Sequence, residues 1–264
     1  MASELEVAPA SVHDLRMRTR SGEFSGATPG LAPGYLQANL VIVQKSVAWD
    51  FLLFCHRNPR PCPILEVLDT GSPEPRATAP GADLRTDLPR YRVYEHGQLV
   101  DEPTDICAWW RDDLVAFLLG CSFSFEDAMQ KAGLPVRHVE ERRIVPMYRT
   151  TVPCRPAGVF QGPLVVSMRP LTPMQAIRAA EITAGYPLAH GGPVHAGNPA
   201  AIGITALDRP DYGEAVTIHP DEIPVFWACA VTPQAAIAKA KPAFAITHCP
   251  GHMFITDVRS TDMV

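Results

Sequence analysis

The chain has no Gly-x-x-x-x-Gly-Lys loop and no Gly-x-Gly-x-x-Gly following an apolar run, so neither backbone cradle for nucleotide phosphates is foreseen and ATP or NAD chemistry is unsupported. Closely paired cysteines are missing too. The seven cysteines (55, 62, 107, 121, 154, 229, 249) are odd in number and irregular in spacing, which argues against a disulfide scaffold and against structural zinc. No apolar stretch approaches the length of a bilayer span. Residues 1–10 carry two glutamates and no basic region ahead of an apolar core, so no secretory leader is expected and the protein is read as cytoplasmic. Lysine is scarce, 4 of the 23 basic residues, and the net charge of −5 opposes nucleic-acid binding, which needs clustered positive charge. With 47% hydrophobic and only 19% charged residues among 264, the chain is not disordered and is long enough for one large domain or a domain with a smaller companion.

What is present is punctuated by proline and glycine. Residues 11–19 predict a short helix capped by Ser11, and a breaker-rich loop then leads into a buried strand, Tyr35 to Val43. Gln37 and Asn39 are odd in so apolar a run; buried amides need partners, so they either tie loops together or face a ligand. A helix follows from Ser46 to His56, then a stiff loop (Asn58 to Pro63), a strand at 64–68 and a hairpin over 91–100 turning at Glu95-His96-Gly97. Residues 104–119 predict a helix, broken by Gly120-Cys121-Ser122-Phe123-Ser124-Phe125-Glu126 before a second helix ending at Gly133. Strands are expected at 137–145, 148–152 and 164–168, and Thr172-Pro173 opens a helix over 174–183. The last third reads as strands at 201–204 and 224–231, a helix at 232–239 and a strand at 244–248. The expected fold is α/β, a mixed sheet covered by helices on both faces, with residues 1–134 and 192–264 forming the larger domain and 135–191 a smaller inserted α+β domain.

Several groups in this pattern can carry chemistry. The corner at Cys121, Ser122 and Ser124 offers amides at a helix start, capped by Ser122 or Ser124, that can receive a carboxylate or stabilise an oxyanion; the plain alternative is a kinked core helix with a buried thiol. Arg149, Arg169 and His248 stand at strand ends, where α/β sheets bind ligands. Arg85 lies in a stretch crowded with charge that either contacts a ligand or pairs on the surface. The loop from His190 to His195 presents two imidazoles. Zinc there would need a distant third ligand such as His248 or Asp257, and acid–base work suits imidazoles better, so no metal and no cofactor are expected. Cys121 and Cys229 also suit proton transfer at an α-carbon if they face each other, although nothing in the spacing brings them together.

Taken in order, Gly34-Tyr35-Leu36-Gln37-Ala38-Asn39-Leu40, Asn58-Pro59-Arg60-Pro61-Cys62-Pro63, Arg85-Thr86-Asp87-Leu88-Pro89-Arg90-Tyr91, the Gly120 to Glu126 corner, Pro146-Met147-Tyr148-Arg149-Thr150, Val166-Ser167-Met168-Arg169-Pro170, His190-Gly191-Gly192-Pro193-Val194-His195, Pro224-Val225-Phe226-Trp227-Ala228-Cys229 and Ile246-Thr247-His248 resemble the D-glutamate cyclase family of bacterial hydro-lyases. Gly192 and Asn198 depart from the alanine and aspartate of that pattern. The resemblance implies a carbon–oxygen hydro-lyase of amino-acid metabolism that closes D-glutamate to 5-oxo-D-proline with loss of water; it carries over no residue roles. The chemistry fits the residues above if Arg149 or Arg169 binds substrate carboxylates, Cys121 to Ser124 meets the oxyanion and His195 or His248 moves the proton. Asn39, Arg85, His190 and Cys229 complete the expected binding set. The expected partners are a small acidic metabolite and, as a homodimer, a second copy of the chain, with no nucleic acid and no membrane. Rival readings are a dehydratase of another hydroxy acid and a non-enzymatic binder of an acidic metabolite.

Overall fold

The computed structural model describes residues 11–263; the expectation about a leader at residues 1–10 lies outside them. In chain order the elements are α1 (Val12–Arg20), β1 (Tyr35–Gln44), α2 (Lys45–Arg57), β2 (Ile64–Val67), β3 (Tyr91–Glu95), β4 (Gln98–Asp101), β5 (Leu114–Gly120), α3 (Phe123–Lys131), α4 (Arg137–Glu140), β6 (Met147–Pro153), β7 (Pro163–Leu171), α5 (Pro173–Ala184), β8 (His195–Ala196), β9 (Ile223–Ala228), α6 (Val231–Ala240), β10 (Phe244–His248) and β11 (Phe254–Arg259). The strands form two sheets. One runs β2-β5-β1-β10-β3-β4 with β11 also pairing β1, and the other runs β6-β7-β9-β8. The α/β class holds, with helices flanking both sheets, and the strand pairings within each sheet are antiparallel throughout.

The central strands of the first sheet are buried on both faces, which is why Leu40 to Val43 of β1 and Leu114 to Leu119 of β5 read as apolar runs rather than alternating ones. On one face Val41, Val43, Phe117 and Leu119 pack against Phe51 and Phe54 of α2, Ile237 of α6 and Phe160. Burying each of these phenylalanines stabilises the fold by roughly 1.5–3 kcal/mol. The other face is not covered by a helix. Leu40, Ile42, Leu118 and Ile246 pack there against Leu84, Leu88 and Ile106 of an irregular stretch. That stretch is held in shape by the buried Tyr91 hydroxyl, which donates to the Leu84 carbonyl at 2.8 Å and accepts from the Leu88 amide at 3.2 Å.

In the second sheet Trp227, Val225 and Leu171 pack against Phe125 and Met129 of α3 and against Ala176 and Ala179 of α5. α5 starts with a full capping box, Thr172 with Gln175, and a proline in its first turn. Because β8 and β9 complete this sheet, the segment that builds it extends past the expected boundary at 191. Four local expectations are corrected. Residues 114–119 are the central strand β5, and the helix read over 104–119 shrinks to a single 3-10 turn at Cys107–Trp109. The corner at 120–122 therefore joins a strand to a helix instead of breaking a helix. Residues 137–145 form α4 and a loop, not a strand, and 201–204, expected as a strand, instead close a 3-10 turn (Pro199–Ile202) and continue as a loop. β8 and β11 were not foreseen.

Candidate functional site

The corner after β5 is tied down from three sides. The Gly120 amide donates to the Pro63 carbonyl at 2.8 Å, and Asn39 Nδ2 donates to the carbonyls of Gly120 (2.8 Å) and Leu119 (3.3 Å). Asn39 is thus one of the amides that join neighbouring segments. The first turn of α3 uses its own amides, Ser124 N–H to the Cys121 carbonyl and Phe125 N–H to the Ser122 carbonyl, both at 3.1 Å. Neither serine caps the helix through its side chain. Ser124 Oγ accepts from the Gln37 amide (3.3 Å) and Ser122 Oγ from Arg169 (3.1 Å).

Arg169, on β7, has no solvent exposure, and its guanidinium lies between the rings of Phe125 and Trp227, 5.2 and 5.3 Å from their centroids. It donates to Ser167 Oγ at 3.1 Å, to Ser122 Oγ and to the Glu126 carboxylate. His138, on α4, brings Nε2 to 3.3 Å from the same Glu126 oxygen, outside hydrogen-bond geometry. Burial pushes the Glu126 carboxyl up, but its neighbours His138 and then Arg169 outweigh that effect and hold the group down at about 2. A buried carboxylate is therefore kept ionised between a guanidinium and an imidazole.

Glu126 and His138 form part of the wall of a cavity of about 470 Å³ that is also lined by Gln37, Ser124, Arg142 and Arg143. The volume suits a small metabolite. Gln37 is 3% exposed. Its Nε2 donates to the Thr28 carbonyl at 3.1 Å while its Oε1 finds no partner. Arg142 is exposed, holds a left-handed backbone (φ 53°), and has no ion pair among the described residues. A larger depression of about 590 Å³ beside Arg137 has its main charges paired already, Arg137 with Glu222 at 2.6 Å and with Glu140 at 3.2 Å.

Residues 115–257 match the model of the D-glutamate cyclase family. The chain belongs to this family. A Bacillus licheniformis protein named "putative hydro-lyase" is 60% identical over 246 residues, covering 93% of this chain and 94% of its own length. Proteins of the same name from Stutzerimonas stutzeri (56% identical, covering 98% and 96%) and Bacillus subtilis (54% identical, covering 95% and 97%) are similar throughout. Membership supports a hydro-lyase function. A nitrogen repressor-like protein of Methanococcus jannaschii aligns over 89% of this chain and 90% of its own, but at 9% identity and a TM-score of 0.38 the likeness carries no argument.

In this D-glutamate cyclase family member, Cys121, Ser122, Ser124 and Arg169 come together around the corner, with Asn39 behind it. Cys229 begins the turn into α6, and its thiol lies 3.5 Å from Met147 Sδ. Cys121 lies close enough to Cys229 and Arg169 for each to influence its ionisation, and burial pushes the two thiols up to about 12 and about 11. The other groups are elsewhere or engaged. His190 Nδ1 is 2.7 Å from the Arg60 carbonyl, and His248 Nδ1 accepts the Leu40 amide at 3.1 Å. Burial pulls both imidazoles down to about 4, so they are neutral near pH 7. His195 Nε2 sits 2.7 Å from the Asn198 carbonyl. Arg85 pairs with Asp83 at 2.7 Å. Arg149 is exposed, bonds the Tyr212 hydroxyl and lines a separate depression with Arg209. Asp257, the distant ligand offered for zinc, pairs with Arg16 at 2.8 Å, and the described residues contain no group of three side chains suited to a metal. Sequence reasoning missed His138 and Arg142 and saw Glu126 only as a first-turn acid. Gln37 alone left a signal, as a polar residue in an apolar strand.

Proposed function

We propose that this family member is a hydro-lyase whose reaction takes place in the 470 Å³ cavity, with His138 moving the proton and Glu126, anchored by Arg169, holding its imidazole. The observation that carries the reading is an ionised carboxylate beside an imidazole on the wall of a cavity of metabolite size. Arg142, an exposed residue of the cavity lining with no ion pair among the described residues, supplies a guanidinium for a substrate carboxylate.

The specific substrate we propose is D-glutamate, closed to 5-oxo-D-proline. The amine attacks the γ-carboxyl carbon, the C–N bond forms and a C–O bond breaks. The ammonium gives up two protons and the carboxylate loses one oxygen, so water departs and no further reactant is needed. His138 takes a proton from the nitrogen and delivers it to the departing oxygen. Folding the substrate so that its amine lies against its own γ-carboxyl supplies much of the barrier reduction. Replacing His138 with Gln is expected to lower turnover of D-glutamate by about 10²–10⁴-fold, followed by NMR detection of 5-oxo-D-proline. Unchanged turnover would remove His138 from the reaction.

A further inference from the structure

One residue of the cavity wall, Gln37, carries a buried polar atom without a hydrogen-bond partner, its Oε1, whereas His138 Nε2 stands 3.3 Å from the Glu126 carboxylate. Native interiors leave few such atoms unsatisfied, and one on a residue that lines a cavity calls for an explanation that a ligand's own polar group supplies. The Gln37 amide is not ambiguous: its bond to the Thr28 carbonyl must come from the NH₂ end, which leaves the oxygen as the unused group. An oxygen is an acceptor only, so the missing partner is a donor. Gln37 cannot swing away easily, because its backbone amide is bonded to Ser124 Oγ at 3.3 Å and its side chain is held at Thr28. The same cavity is lined by Glu126 and by the exposed Arg142. Together these suit a molecule with an N–H donor at one end and a carboxylate at the other.

We propose that Gln37 is the specificity-determining residue of this site: its Oε1 accepts an N–H from the amine of a small amino dicarboxylic acid and so selects amino acids over diacids that lack the amine. The inference rests on the cavity being the reaction site, as argued above, and goes beyond it in assigning the amine's partner. A buried acceptor left empty by the wrong ligand is what makes such a site reject the analogue that lacks the donor.

The test compares D-glutamate with glutarate, which has both carboxylates and no amine, by thermal-shift titration of the full chain. The wild type is expected to need at least about 10-fold less D-glutamate than glutarate for the same stabilisation. Gln37→Leu should erase that preference by weakening D-glutamate alone, with glutarate binding reporting that the fold and cavity survive. Equal response of the wild type to both ligands, or a preference that persists in Gln37→Leu, overturns the assignment while leaving the cavity as the site. Should neither ligand stabilise the wild type, the reading of the cavity falls and this inference with it.

Discussion

His138 and the pair His190 and His248 are all buried, yet their surroundings are opposite. His138 stands against the Glu126 carboxylate, in a pocket of the fold built to hold charge. His190 and His248 stand against backbone groups, a carbonyl in one case and an amide in the other, and burial keeps them neutral. The difference teaches that a histidine's role is set by what faces it, not by the loop or strand end that carries it. It also explains why a proton-transfer role suits His138: it borders a cavity and has an ionised partner, whereas each of the other two has its Nδ1 engaged by the backbone.

The contrast can be broken most severely at the charged side. Glu126→Gln leaves Arg169 buried without its counter-charge and is expected to lower stability by about 3–5 kcal/mol, read by urea unfolding; a loss under about 1 kcal/mol would show that the network does not need the carboxylate. Next comes the neutral side. A histidine whose folded value is depressed contributes stability that is complete above its unfolded value and is lost as pH falls toward the folded one. With His190 and His248 pulled from 6.5 to about 4, stability should decline between pH 6.5 and 4 by on the order of 3 kcal/mol for each. Replacing His248 with Gln should flatten part of that decline, and a pH profile identical to wild type would contradict the assignment. Glu126 works over a lower window: held at about 2, its contribution is present above 4.5 and fades only as pH drops toward 2. A smaller effect is expected at the thiols. With Cys121 and Cys229 pushed to about 12 and about 11, alkylation by iodoacetamide at pH 8 should be slower than for an exposed thiol such as Cys107, and rapid labelling of Cys121 would argue against its burial. Smallest of all, Arg149→Ala should change stability by no more than about 0.5 kcal/mol and leave D-glutamate turnover intact, because its surroundings are surface ones.

Elements with local chemistry of their own were legible in the sequence. Ser11 caps α1 as expected, Thr172 and Pro173 start α5, and the hairpin of β3 and β4 turns at His96-Gly97, where both residues take positive φ. β5 was not legible, because six apolar residues in a row look the same in a buried strand and in a buried helix; only the pairing with β1 and β2 decides. The corner at Cys121 was recognisable as a place of interest, but its partners come from far along the chain. Arg169 and His138 reach Glu126 from β7 and α4, and no spacing rule connects the three. Gln37 shows the middle case: its oddness was visible, while its unused oxygen appears only once Thr28 is seen to occupy the other end of the amide.

Gly120 has a consequence for how this molecule can be taken apart. A methyl group there would overlap the carbonyl of Leu188, so the end of the central strand and the turn that carries His190 are seated directly on one another. The turn belongs to the stretch that a designer would delete or graft as a separate module, since it lies just after α5. Cutting it out would strip the lid from the strand end at which the Asn39 and Cys121 region is organised, so each half of the chain serves as scaffolding for the other. Fragments divided near residue 134 or 191 are therefore expected to be insoluble alone and to recover only when expressed together.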